Sequence, residues 1–190
     1  MKKIILSLVL FFTIGSVYGQ TFMHGAGITV FAASPKNGKV SIGETVCYSP
    51  RFNFIETENL SVSVGIPLGI GISFSTYFSD YYSDVSYGLV LKAPLIVNLN
   101  MGRGSTKENR DKLGYFVGAG FGYYHAEFKT YNDFGETIPE TTNAYGPAGN
   151  AGLRFGIGKK HQSVEVNIFY MKGINESKPD IFGLGCAFNF

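Results

Sequence analysis

From Asn59 to Ser79 the chain runs without a charged side chain and alternates with period two. Leu60, Val62, Val64, Ile66, Leu68, Ile70, Ile72 and Phe74 take one set of positions. Ser61, Ser63, Gly65, Pro67, Gly69, Gly71, Ser73 and Ser75 take the other. Successive side chains of a strand point to opposite faces, so this pattern predicts a strand with one apolar face and one small, polar face. The segment is long enough for a membrane helix. A helix, however, would spread the serines and glycines over every face and lose stability at each Gly and Pro. The strand is the consistent reading.

The same pattern returns along the chain. Tyr87, Leu89, Leu91, Ala93, Leu95, Val97 and Leu99 oppose Lys92, Pro94 and Asn98. Tyr115, Val117, Ala119, Phe121 and Tyr123 oppose Gly118, Gly120 and Gly122. Tyr145, Ala151, Leu153, Phe155 and Ile157 oppose Asn150, Gly152, Arg154 and Gly156. Val164, Val166, Ile168 and Tyr170 oppose Glu165 and Asn167, and Phe182, Leu184, Cys186, Phe188 and Phe190 oppose Gly183, Gly185, Ala187 and Asn189. Less regular runs from Phe22 to Ala33 and from Val40 to Ile55 bring the strands to eight. Turn-rich segments separate them, at residues 34–38, 56–59, 79–84, 101–112, 129–142, 159–161 and 173–180. No helical periodicity and no change of composition marks a second domain.

Eight long antiparallel strands close into a small barrel, and two opposite arrangements compete. A soluble barrel keeps its apolar face inside and its charges outside. A transmembrane barrel turns the apolar face to lipid and the small or polar face to the lumen. The second face here is Gly, Ser and Asn with isolated Lys92, Arg154 and Glu165, too few charges for a wet exterior. Those three form a candidate polar cluster in the lumen. Tyr and Phe near the strand ends fit aromatic girdles. The expected fold is therefore all-β, an eight-stranded antiparallel up-and-down transmembrane barrel.

Composition narrows the reading. Only 16% of the 190 residues are charged, against about 25% in ordinary soluble domains. The net charge of +2 gives no field that would draw a nucleic acid. Lys2 and Lys3, the apolar run Ile4 to Ile14 and the small residues Gly15 to Gly19 have the layout of a secretory signal peptide, with cleavage before Gln20. The domain expectation is a signal peptide at 1–19 and a barrel at 20–190. Eight spans of about 10 residues fit such a chain with room for turns, whereas sixteen would leave almost no loops. The chain stops on Phe190, so no peptidoglycan-binding domain is expected after the barrel.

A signal peptide, eight alternating segments and a last strand ending on Phe190 resemble the small eight-stranded outer-membrane barrel proteins of Gram-negative bacteria, of the OmpA-barrel and OmpX type. The resemblance implies residence in the cell outer membrane after export, contact with outer-membrane lipids, and a periplasmic N-terminus. It also implies that Phe190 is the assembly signal read by the barrel-assembly machinery. Against this pattern, the turn at 101–112 is long for the periplasmic side.

Candidate chemistry is sparse. His125 and Glu127 share a strand face as a base and its orienting acid, but no serine stands beside them as a nucleophile. His24 and His161 sit at membrane edges. Cys47 and Cys186 fall on strands that are not neighbours, so no disulfide is expected. Gly102-Arg103-Gly104-Ser105-Thr106-Lys107 lacks the spacing of a phosphate loop and reads as a solvated basic turn. Asn59-Leu60-Ser61 and Asn175-Glu176-Ser177 match a glycosylation tripeptide that carries no weight alone. Loops 79–84 and 129–142 combine aromatic and acidic residues and are candidate contacts for an extracellular partner. The sequence thus predicts a monomeric barrel of structural or surface-interaction role, with no catalytic site, metal or cofactor. The alternative is a narrow, porin-like channel or small-molecule transporter, favoured by the inward glycines.

Overall fold

A computed structural model describes residues 21–36, 40–78, 83–131, 137–158, 161–175 and 178–190. The proposed signal peptide lies outside the described residues. The described chain forms twelve strands, and none of it is helical. They are β1 (Thr21–Met23), β2 (Gly25–Ser34), β3 (Ser41–Tyr48), β4 (Arg51–Glu56), β5 (Leu60–Gly65), β6 (Leu68–Phe78), β7 (Ser83–Lys92), β8 (Leu95–Gly102), β9 (Leu113–Tyr131), β10 (Thr137–Gly156), β11 (Ser163–Lys172) and β12 (Asp180–Asn189).

Eight spans account for these twelve strands. β1 with β2, β3 with β4, β5 with β6, and β7 with β8 each form one span, and β9 to β12 are single spans. Three of the four interruptions coincide with Pro50, Pro67 and Pro94, each removing a backbone donor from the ladder. The pairing nevertheless resumes in the same register beyond them: β2 pairs β3 as β1 pairs β4, and β6 pairs β7 as β5 pairs β8. Isolated bonds bridge the gaps, from Gly25 N to Ser49 O (3.1 Å), from Ser49 N to Gly25 O (2.8 Å) and from Ala93 N to Tyr123 O (2.9 Å). The long alternating runs are single spans, as their pattern predicts, with proline notches that strict alternation does not reveal.

Each span is antiparallel to the next, and β12 pairs β2, so the sheet closes. Register partners can be followed once around: Met23, Arg51, Gly65, Ile96, Gly120, Ala148, Met171, Ile181 and Ala33. The circuit returns to the first span ten residues above its start, the stagger that tilts the strands of a small closed barrel. The ladder has one irregularity, between Asn53 and Ile55 of β4.

The apolar face points outward. Ile28, Val46, Ile70, Leu89, Val117, Leu153, Ile168 and Leu184 are all exposed, while their strand neighbours on the other face turn into the barrel. Tyr, Phe and His collect at the two ends of this apolar surface. At the end holding Thr21 and Phe190, His24 stacks on Phe190 (ring centroids 5.6 Å, 6° between planes) and meets the Phe22 edge at 4.5 Å. Its Nδ1 is 2.7 Å from the Tyr48 hydroxyl. Towards the other end, the cross-strand partners Tyr123 and Tyr145, and Tyr170 and Phe182, face outward together. An uncharged exterior between two aromatic belts is the surface of a transmembrane barrel. One exception is Glu44, exposed between its lipid-facing partners Val30 and Ile72.

Two expectations need correction. Residues 129–131 and 137–142 are strand and not loop: β9 runs to Tyr131 and β10 starts at Thr137, paired with each other up to those ends, so this hairpin extends past its other neighbours as a ribbon. Residues 83 and 84 of the expected 79–84 loop are likewise in β7. The connections that remain, 79–82 and 132–136, lie outside the described residues.

Candidate functional site

The lumen holds the polar chemistry of the molecule, and it is layered. The layer at the terminal end is polar and charged. Arg154 on β10 and Glu165 on β11 are register partners, both facing inward. Arg154 Nε donates to Glu165 Oε2 at 2.8 Å. Asn167 Nδ2 donates to Glu165 Oε1 at 2.9 Å and Asn189 Nδ2 to Oε2 at 3.3 Å. On the arginine side, Nη1 donates to Asn100 Oδ1 at 2.9 Å, and the guanidinium lies over the Phe116 ring, 4.1 Å from its centroid. A buried charge pair is tolerable only when its remaining hydrogen-bonding capacity is met, and these partners largely meet it.

The turn between β8 and β9 completes this layer. Arg103, Ser105, Thr106 and Asn109 are buried, and the segment folds up into the mouth of the barrel. The Gly104 carbonyl accepts from Arg51 Nη2 at 2.8 Å and more distantly from Arg154 Nη1 at 3.5 Å. The Ser105 carbonyl accepts from Asn53 Nδ2 at 2.7 Å and Ser61 Oγ at 2.6 Å. Arg103 Nη2 reaches the Gln162 carbonyl at 2.9 Å, across the mouth. Gly104 takes φ +73°, a left-handed conformation, and a Cβ there would stand 3.0 Å from Arg154 Cδ. The expectation of a solvated basic turn is therefore wrong. The residues are small because they are a plug, and their carbonyls satisfy buried donors. Only Lys107, Glu108 and Arg110 to Lys112 of the turn are exposed.

Above the polar layer lies a waist where Gly69 faces inward. A cavity of about 70 Å³ sits there, lined in part by Thr45, Cys47, Lys92 and Asn167. Above the waist the lumen is filled by Phe31, Val90, Tyr124, Phe128, Met171 and Ile181. The Phe31 and Tyr124 rings meet edge to face at 5.9 Å.

Of the three residues expected to cluster, Arg154 and Glu165 meet, and Lys92 stands apart at the waist. Its Nζ is 4.6 Å from the centroid of the Phe31 ring, and no carboxylate among the described residues forms an ion pair with it. Sequence reasoning missed Arg51, Asn53 and the plug carbonyls, whose only signal was a turn too long for its end of the barrel. It also missed the apolar filling, because Phe31, Tyr124 and Phe128 lie in or beyond the irregular parts of the alternation.

Outside the lumen, His125 and Glu127 face outward on β9, with His125 Nε2 3.4 Å from Glu127 Oε1 and His125 Nδ1 2.7 Å from Asn143 Oδ1. Cys47 and Cys186 are free thiols, the first towards the lumen and the second outward.

A closed eight-stranded antiparallel barrel with an apolar exterior and a filled, polar-to-apolar lumen has the fold of the small outer-membrane β-barrels. No protein-family model matches the chain, and no curated protein matches it in sequence. Among solved structures, Ail of Yersinia pestis, the attachment invasion locus protein, superposes with a TM-score of 0.57 at 12% identity, covering 92% of this chain and 100% of that one. The outer membrane protein OprG of Pseudomonas aeruginosa gives 0.51 at 12% identity, covering 90% and 96%. Neisserial surface protein A gives 0.50 at 12% identity, covering 90% and 98%. At such identities the likeness is one of fold.

Proposed function

We propose that this protein is an outer-membrane barrel with a closed lumen that acts as a structural or surface-interaction element through its exterior and its distal ribbon. The carrying observation is that the chain blocks its own lumen, with the 103–109 plug at one end and the Phe31–Tyr124–Phe128 layer above the waist. Such a barrel has no continuous aqueous path. The likeness to Ail, which has also been solved in complex with a heparin analogue, supports a role in contacts at the cell surface. In this reading the terminal end is periplasmic, and the β9–β10 ribbon is the extracellular site for a partner. The chain is exported by residues 1–19, delivered by the barrel-assembly machinery through Phe190, and works as a monomer. The reading assigns no catalytic role to the outward His125–Glu127 pair, whose hydrogen-bond partner on the neighbouring strand is Asn143.

Planar-bilayer recording of the refolded protein tests this function. No discrete current steps are expected; reproducible steps from the intact chain would refute it. The channel reading draws on the waist, and it requires both fillings to move aside.

A further inference from the structure

We propose that the waist of the lumen is a binding site for a small monovalent inorganic anion such as chloride, held between Lys92 and Thr45. Lys92 makes no ion pair among the described residues, and its ammonium lies against the face of the Phe31 ring. An aromatic face compensates an ammonium only in part, and an ion drawn half out of water without a counter-charge is costly. The one carboxylate at this cavity, Glu165, is already committed to Arg154, Asn167 and Asn189. The other buried cations, Arg51, Arg103 and Arg154, donate to the Gly104 and Gln162 carbonyls at the polar end of the lumen.

A second, independent observation points to the same place. The Thr45 hydroxyl has no hydrogen-bond partner, although Thr45 is 2% exposed and lines the cavity. A buried hydroxyl left without a partner costs free energy, and a bound anion would accept its hydrogen bond. Gly69 brings the two groups together. It lies between Cys47 and Lys92 in the ladder, and a Cβ on it would be 3.1 Å from Thr45 Oγ1 and 3.3 Å from Lys92 Cε. The missing side chain leaves a notch with an ammonium and a hydroxyl donor on its walls. A cavity of about 70 Å³ is several times the space one water needs, enough for a small anion with residual water.

The test is crystallisation of the full barrel, refolded and grown in sodium bromide, with anomalous diffraction at the bromine edge. A bromide peak in the waist, within contact of Lys92 Nζ and Thr45 Oγ1, is the expected result. It should vanish in Lys92→Met, with a heat-shifted gel band showing that the variant still closes. A folded wild-type barrel with no anomalous peak at the waist, holding only water there, would overturn the proposal. So would a peak that persists unchanged in Lys92→Met. If that variant fails to fold, Thr45→Val provides the same comparison.

Discussion

Arg154 and Glu165 face each other across adjacent strands in the wall of the barrel, their side chains 2.8 Å apart and both buried in the lumen. The pair organises the terminal end, because Glu165 collects two asparagines while Arg154 and Arg51 both reach the plug carbonyl at Gly104. Removing one partner leaves an uncompensated charge. Glu165→Gln is therefore expected to destabilise the barrel by about 3–5 kcal/mol, read as a lower urea midpoint in detergent micelles. Replacing Arg154 and Glu165 together by Met and Leu should recover most of that loss. A double variant as weak as the single one would mean that the network matters beyond its charge balance.

The plug depends on a left-handed residue. Gly104→Ala places a Cβ against Arg154 and strains the backbone by about 1–2 kcal/mol. Faster amide exchange is expected at residues 103–106, with the strand ladder still protected. Unchanged exchange would show that the loop is held without its glycine.

Lipid contact is tested from both directions. Leu184 lies in the middle of the outward face, so Leu184→Arg should cost about 2–4 kcal/mol of folding stability in bilayers. Glu44 stands between lipid-facing Val30 and Ile72, and Glu44→Leu should stabilise the protein by about 1 kcal/mol in vesicles. Opposite signs in urea titrations into vesicles check both. Equal and negligible effects would place this surface in water.

The two thiols report sidedness. In the folded barrel a lipid-soluble maleimide should modify Cys186, which faces outward, and spare Cys47, which faces the lumen. Both should react after boiling. Rapid labelling of Cys47 by a water-soluble reagent in the unheated protein would reveal an open aqueous path.

Phe190 has a structural role beside its proposed signalling one, since it stacks on His24 and donates its N–H to the His24 carbonyl at 3.0 Å. Phe190→Ala is expected to lower the amount of barrel in outer membranes while the purified chain still refolds in detergent. Loss of refolding as well would assign the residue to stability alone.

Much of this architecture is written in period two. Leu60 to Phe74, Tyr87 to Leu99 and Phe182 to Phe190 each repeat an apolar residue at every second position, and side-chain alternation is a local property of any strand. The scarcity of charge on the other face then settles which side meets lipid, because a wet exterior needs more charge than this chain carries. Strand number followed from length. What lies inside the barrel was not legible in the same way. That Arg154 meets Glu165 depends on the register of the β10–β11 hairpin, and that Lys92 stands apart depends on how the spans are placed around the closed barrel, neither of which a single strand contains. The plug is likewise tertiary: Arg103 to Thr106 have the composition of a solvated turn. Only the donors of Arg51, Asn53 and Ser61, brought in by two other strands, give their carbonyls a reason to fold inward.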